Sequence, residues 1–444
     1  MTTRVILVRH GESSYNVERR VQGHCDLSTL TEKGETMAAQ VATALKDLKF
    51  DAIYSSPLQR AKRTADIVRD GLVNPPELQT TEELREINLP LWEGLLFTEV
   101  EAKFPDEYLD WKDQPHKLRM TLPDGTEFFP VPEIFEQAKR FWNTVIPQHE
   151  GQTILIVAHS GINRALIKTA IGLQPEAYQR FHISNCGISV LNFSGGLGDP
   201  VQIESLNLTS HLGETLPKPR PKHKGPRLLL VRHGETEWNR QGRFQGQIDV
   251  PLNDNGRLQA SQAGEFLKAV PIDFAVSSSM ARPKETAEII LNHHPEVALE
   301  LRDDLREISH GLWEGKFESE IESGYPGMLQ QWQRYPETVQ MPEGENLQQV
   351  WDRAIAGWNA IVQSASRSSE PCTILVVAHD AINKAILCYV AGLGVESFWN
   401  FKQGNGAVSV IDYVHGADAD PMMMSMNITT HLGGVLDKTA AGAL

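Results

Sequence analysis

The chain has 444 residues, 41% of them hydrophobic and 22% charged, with a formal net charge of −15. That length exceeds one ordinary hydrophobic core, so more than one domain is expected. The acidic balance argues against a general nucleic-acid or membrane-surface binder, which would carry a basic excess, while leaving room for a small anionic ligand held by local arginines. No apolar run approaches a membrane span. The first strand is expected within a few residues of Met1, with no room for a signal peptide, so a cytoplasmic location is expected. The cysteines Cys25, Cys186, Cys372 and Cys388 form no Cys-x-x-Cys pair and no zinc-ligand spacing, and read as thiols of a reducing compartment.

The apolar run Val5-Ile6-Leu7-Val8 predicts a strand buried on both faces. It ends in Arg9-His10-Gly11-Glu12, with the glycine expected to turn the backbone sharply after the histidine. A polar loop through Gln22-Gly23-His24 follows. A helix is predicted from near Thr31, with Met37, Val41, Ala44, Leu45 and Leu48 on its apolar face. Phe50 to Tyr54 reads as a strand. In Ser55-Ser56-Pro57 a serine is available as N-cap and the proline suits a first turn, opening a helix that carries Arg60. Leu84-Arg85-Glu86-Ile87 is a short extended piece or loop. Glu133 to Ile146 reads as a helix. Ile154 to Ala158 is a second buried strand, ending at His159 and followed by a helix to about Ile171. Cys186 to Phe193 and Val201 to Glu204 are strand-like. Strands alternating with helices predict an α/β domain with a mostly parallel sheet covered by helices on both faces.

The whole pattern then recurs. His10, Arg60, Glu86 and His159 correspond to His233, Arg282, Glu307 and His379, and the spacing between copies drifts only from 223 to 220 residues. Even the ends agree, with Asn207 to Gly213 matching Asn427 to Gly433. The predicted organisation is a first domain over 1–213, a proline- and lysine-rich linker over 214–226, and a second domain of the same fold over 227–444. The linker's prolines preclude a helix or central strand and suit a semi-rigid spacer. Trp332, Trp351 and Trp358 read as core or lid aromatics, because no basic groove accompanies them.

Open α/β sheets bind ligands at the carboxyl ends of their strands. If the two histidine-ending strands of a half are neighbours, His10 and His159 share one edge with Arg9 and Arg60. Arginine forks match phosphate oxygens, and helix N-termini offer unpaired N–H groups to the same anion. Arginine charge disfavours protonation of His10, leaving a neutral imidazole as nucleophile. Glu86 is the candidate proton donor to the leaving oxygen, since a nearby phosphate dianion pushes a carboxyl group toward its protonated form. The second half offers Arg232, His233, Arg282, Glu307 and His379 in the same roles. Asn16 and Asn239 stand at matched spacing, and Gln22, Gly23, Gln245 and Gly246 are substrate-loop candidates. His24, His182 and His310 are minor pocket candidates, read first as core or surface histidines. No metal or cofactor is expected, because arginine and histidine already neutralise the phosphate and no carboxylate cluster or His-Glu-x-x-His is present. The expected partner is a small phosphorylated metabolite; nothing in the sequence sets an oligomeric state.

A lone Arg-His-Gly arises by chance. Here Val8-Arg9-His10-Gly11-Glu12, Tyr54-Ser55-Ser56-Pro57-Leu58-Gln59-Arg60-Ala61, Leu84-Arg85-Glu86-Ile87 and Val157-Ala158-His159 occur in order, with second copies at Val231 to Glu235, Ser277 to Arg282, Leu305-Arg306-Glu307-Ile308 and Val377-Ala378-His379. They resemble the histidine phosphatase superfamily, with its phosphoglycerate-mutase-like fold. The resemblance implies a phosphohistidine on His10 and on His233, phosphate binding by Arg9, Arg60, His159, Arg232, Arg282 and His379, and proton donation by Glu86 and Glu307. The compact segment between the acid and the second histidine looks like the phosphatase branch, with a phosphoglycerate mutase as the nearest alternative. The first half is similar to two-domain plant phosphatases acting on 2-carboxyarabinitol 1-phosphate. The second, with Pro342-Glu343-Gly344-Glu345, looks more like bacterial single-domain enzymes acting on phosphoserine, α-ribazole phosphate or other small phosphates. Different substrates for the two pockets are therefore expected. A phospho-ligand-binding regulator with one inactive domain is the alternative from another class.

Overall fold

A computed structural model describes residues 2–365 and 371–439. The chain divides into two compact units, Met1–Glu214 and Thr215–Leu444. The first contains β1 (Thr3–Arg9), β2 (Ala52–Ser55), β3 (Leu78–Thr80), a small ribbon of β4 (Met120–Thr121) and β5 (Glu127–Phe128), then β6 (Thr153–Ala158), β7 (Ile188–Phe193) and β8 (Val201–Leu208). Its sheet runs β3-β2-β6-β1-β7-β8. β1, β2, β3 and β6 are parallel, and β7 and β8 are antiparallel to their neighbours. Val5, Ile6, Leu7 and Val8 are at most 1% exposed. Successive side chains of a strand point to opposite faces, so both faces of the sheet are covered there.

Register places the histidines. Arg9 pairs with Ala158 across the parallel β1–β6 ladder, so the next residues, His10 and His159, leave the sheet side by side. Ser55 pairs with Val157, which brings Ser56 to the same edge. The second unit contains β9 (Arg227–Arg232), β10 (Phe274–Ser278), β11 (Leu299–Arg302), β12 (Thr373–Ala378), β13 (Val408–Asp412) and β14 (Met422–Ile428), in the order β11-β10-β12-β9-β13-β14. There Arg232 pairs with Ala378, and His233 and His379 emerge together.

Several sequence expectations are corrected. Gly11 does not take a left-handed turn. A Cβ there would lie 2.3 Å from the Gly34 carbonyl oxygen, and one on Gly34 would lie 2.0 Å from the Glu12 carbonyl oxygen. The two glycines thus let the loop after His10 touch the helix Glu32–Leu45, and Gly234 and Gly256 repeat the contact. This turns the buried face of that helix toward Ala38, Val41, Ala42 and Leu45, leaving Met37, Ala44 and Leu48 only half-buried. The helix Gln59–Asp70 is capped by Leu58 without a side-chain bond, because the serine expected there is used in the site. The helix expected from Glu133 opens at Pro130, where a missing N–H costs nothing. Residues 214–226 form no helix or strand, as expected of the linker, and parts of the run are tied to the second unit. Arg227 Nη1 donates to the Pro217 carbonyl (2.9 Å), and the Lys224 and Gly225 amides donate to Val414 and Tyr413.

Candidate active site

His10 is 2% exposed. Its Nδ1 lies 2.7 Å from the Gly11 carbonyl. Only a protonated Nδ1 satisfies that oxygen, so the tautomer is fixed and Nε2 carries the lone pair. The His159 ring stands edge-on, 5.2 Å away between centroids. His159 Nε2 is 2.8 Å from Ser56 Oγ, which already accepts from the Leu58 amide. We therefore assign the serine proton to Nε2, which leaves the buried Nδ1–H as a donor; it has no protein partner. Arg60 is held by its Nη2 on the Gly23 carbonyl (2.9 Å) and its Nη1 on the Cys25 carbonyl (3.0 Å), with Nε buried and unpartnered. Arg9 Nη1 donates to the Ile183 carbonyl (2.8 Å), and its Nε is likewise unpartnered. Asn16 Oδ1 accepts from the Ser13 amide, the Ser13 hydroxyl and Asn185 Nδ2, so three donors fix the orientation of its amide.

The second unit repeats this. His233 Nδ1 meets the Gly234 carbonyl (2.7 Å), His379 Nε2 meets Ser278 Oγ (2.9 Å), and the ring centroids are 5.2 Å apart. Arg282 Nε donates to His233 Nε2 at 3.2 Å. Arg282 Nη2 holds the Gly246 carbonyl, and Arg232 Nη1 the Gln403 carbonyl. Asn239 Oδ1 accepts from Thr236 and Asn405.

Both nucleophile candidates are held far below the ordinary histidine pKa. Burial is the largest cause for each, ahead of Arg9 and Arg60 for His10 and of Arg282 and Arg232 for His233. The sequence alone points to arginine charge as the cause. Loss of water ranks above it, because an imidazolium this deep forfeits its hydration. Glu307 is pushed up to about 7 by burial, with Arg282 opposing and Asp380 adding to the rise.

The sequence of each unit matches the model of the histidine phosphatase superfamily (branch 1), over residues 5–206 and again over 228–421. The chain belongs to the histidine phosphatase superfamily. It is similar to 2-carboxy-D-arabinitol-1-phosphatase of Triticum aestivum, with 29% identity covering 97% of this chain and 86% of the relative. It is 31% identical to a probable 2-carboxy-D-arabinitol-1-phosphatase of Arabidopsis thaliana, covering 97% and 88%. Phosphoserine phosphatase 1 of Hydrogenobacter thermophilus is 32% identical over 48% of this chain and 95% of its own. With these relatives the protein is a phosphatase, and the plant likeness, read first from the amino-terminal half, extends over both halves.

The phosphatase's loop glycines have a structural duty. A Cβ on Gly23 would lie 2.2 Å from Glu93 Oε1, and Gly23 has a φ of +49°. Glu93 needs that approach to accept the His24 amide (2.6 Å), and the Gly23 carbonyl then seats Arg60. Gly246 and Glu314 repeat this, with Glu314 accepting the Gln247 and Ile248 amides. Gln22 and Gln245 accept from Ser13 and Thr236, and the Gln245 Nε2 is buried and unpartnered. His24 stands beside Arg85 and Glu86 with a buried, unpartnered Nε2. His310 is packed edge-on against Phe244 and Trp332 as a core ring. His182 Nδ1 is buried. Trp332 and Trp358 are fully buried.

Sequence reasoning missed four supports. Ser56 and Ser278 orient the second histidines. Thr64 and Thr286 accept the Gly11 and Gly234 amides at 3.1 Å. Asn185 and Asn405 donate to the carbonyls of His10 and His233. Gln137 holds the carbonyls of Glu83 and Arg85, where Arg353 holds those of Asp304, Arg306 and Glu307 and pairs with Glu345. Except for the Gln137–Arg353 change, each pair recurs at the repeat offset, a signal that was available.

The acid sits differently in the two units. Glu86 Oε1 accepts from the Ile87 and Ile162 amides (2.8 and 3.2 Å), and a Cβ on Gly161 would come within 2.4 Å of it. The second unit has Ala381 there. Glu307 likewise accepts from the next amide, Ile308 (2.9 Å), but its second donor is the Asp380 amide (3.1 Å), at the first residue of the helix Asp380–Ala391.

Proposed function

We propose that each unit hydrolyses phosphomonoesters through a phosphohistidine, formed on His10 in the first and on His233 in the second. The observation that carries this reading is the tautomer lock, which aims an unprotonated Nε2 into a cage of buried, partly unpartnered guanidinium nitrogens. In the first step Nε2 bonds to phosphorus as the ester P–O bond breaks. Arg9, Arg60 and His159, or Arg232, Arg282 and His379, stabilise the charge on the equatorial oxygens, which is most of what catalysis of phosphoryl transfer requires. Glu86 or Glu307 gives its proton to the leaving oxygen. In the second step water attacks phosphorus, the carboxylate takes its proton, the P–N bond breaks, and the imidazole lone pair is restored with release of inorganic phosphate.

The substrates we assign are small phosphorylated metabolites. A sugar-acid phosphate such as 2-carboxyarabinitol 1-phosphate is the candidate for the first unit, supported by the two plant relatives. Phosphoserine or α-ribazole phosphate is the candidate for the second. The reaction as drawn needs no metal. Four free cysteines and the absence of any membrane-length apolar helix among the described residues support our placing the protein in the cytoplasm. The test is phosphate release in EDTA by His10→Ala, His233→Ala and the double variant. Each single variant should lose one activity and the double variant both; undiminished release by the double variant would eliminate the proposal.

A further inference from the structure

The sharpest difference between the two sites is a charge. Ser160, directly after His159, corresponds to Asp380, directly after His379, and Arg164 corresponds to Lys384. Asp380 is buried and spans two cations, with Oδ2 at 2.7 Å from Lys384 Nζ and Oδ1 at 3.5 Å from Arg232 Nη1. Lys384 is further enclosed by the faces of Phe398 and Trp399. The second site thus carries its own carboxylate between its phosphate-site arginine and the next cation along the helix.

The first unit has the two cations without the carboxylate. Arg164 lies over the Tyr178 ring, 5.5 Å from its centroid, with Nε buried and unpartnered. Arg9 has a carbonyl for one nitrogen and nothing for Nε. The two correspond to Arg232 and Lys384, which stand on either side of Asp380, and the Arg164 charge adds to the lowering of Arg9, whose pKa is brought down to about 10 chiefly by burial, against the opposing pull of Glu86. Two guanidinium groups this close repel unless an anion bridges them; the Glu86 carboxylate nearby offsets that repulsion at Arg9, but as the proton donor of the proposed step it enters that step uncharged. A carboxylate suits that place, since arginine pairs with it by directed, charge-assisted hydrogen bonds.

We infer that the first unit holds a carboxylate subsite between Arg9 and Arg164, filled by a carboxylate on the alcohol part of the substrate, and that Asp380 fills the corresponding place in the second unit. The first site then selects phosphomonoesters of hydroxy acids. The second, already neutralised, selects esters of alcohols without that carboxylate, which of the two candidates named above favours α-ribazole phosphate over phosphoserine. This rests on the hydrolytic reading above.

The test uses full-length single-site chains, His233→Ala for the first site and His10→Ala for the second. It compares kcat/KM for 3-phosphoglycerate, glycerol 3-phosphate and p-nitrophenyl phosphate. The ratio of 3-phosphoglycerate to glycerol 3-phosphate should be at least about tenfold higher at the first site. Arg164→Met should lower that ratio in the first chain, and Asp380→Ser should raise it in the second. Equal ratios in the two chains, or an Arg164→Met loss equal for all three esters, would overturn the subsite while leaving hydrolysis intact. Should Arg164→Met fail to fold, inhibition of the first-site chain by D-glycerate against glycerol decides: equal, weak inhibition contradicts the subsite. Failure of both chains to cleave any ester would remove the hydrolytic reading itself, and the subsite with it.

Discussion

Arg282 Nε donates to His233 Nε2 across 3.2 Å. An arginine does not deprotonate under ordinary conditions, so the ring nitrogen facing it is the acceptor, and His233 is neutral with its proton on Nδ1. The same guanidinium is tied to the Gly246 carbonyl, as Arg60 is to Gly23. Arg282→Lys in the His10→Ala chain should therefore lose roughly 10²–10³-fold in kcat/KM. A lysine keeps the charge but cannot span ring, carbonyl and phosphate together. Steady-state phosphate release measures this.

Glu307 must be protonated to donate. Its pKa, raised to about 7, leaves the donor form dominant below that pH and depleted above it. In the His10→Ala chain kcat/KM should hold below pH 7 and fall about tenfold per unit well above it. His233 is held well below the ordinary histidine range, so the acidic limb should lie well below pH 6.5. Glu307→Gln should abolish the alkaline limb together with most activity toward esters of poor leaving groups.

Gly11→Ala places a methyl group 2.3 Å from the Gly34 carbonyl oxygen. Both partners are backbone, so no rotamer relieves the clash. Destabilisation of about 2–3 kcal/mol is expected in urea unfolding of the first unit. Gly161→Ala, whose Cβ meets the end of the Glu86 side chain, should be tolerated in fold because Ala381 occupies that position in the second unit.

Ser56→Ala removes the partner of His159 Nε2 at 2.8 Å. The cost should be about 1 kcal/mol in stability. The ring would also lose its fixed tautomer, so kcat in the His233→Ala chain should fall about tenfold. Ser56→Thr, which keeps the hydroxyl, should retain more activity than Ser56→Ala.

The fold was legible because its signals are local. Apolar runs ending in histidine and a polar stretch opening a helix near Thr31 each act within a few residues, and a repeat whose offset barely moves reads every local signal twice. The main cluster was legible because strand register converts sequence adjacency into spatial adjacency: pairing Arg9 with Ala158 is enough to bring the histidines together. What was not legible depends on approach between distant segments. Gly11 looked like a turn residue, and its reason lies in Gly34. Ser56 looked like a cap, and its hydroxyl is used 103 positions away by His159. The opposition of Asp380 to Arg232 and Lys384 requires knowing that a helix N-terminus abuts the end of β9.

The central claim is that a ring nitrogen, in each unit, accepts the phosphoryl group. Rapid quench of the turning-over enzyme into alkali, followed by peptide mass spectrometry, tests it directly. Phosphate should be found on His10 and His233, acid-labile and alkali-stable, and each should vanish in its own alanine variant. Steady hydrolysis with neither histidine phosphorylated at any quench time, or with the phosphate on another side chain, would contradict the account.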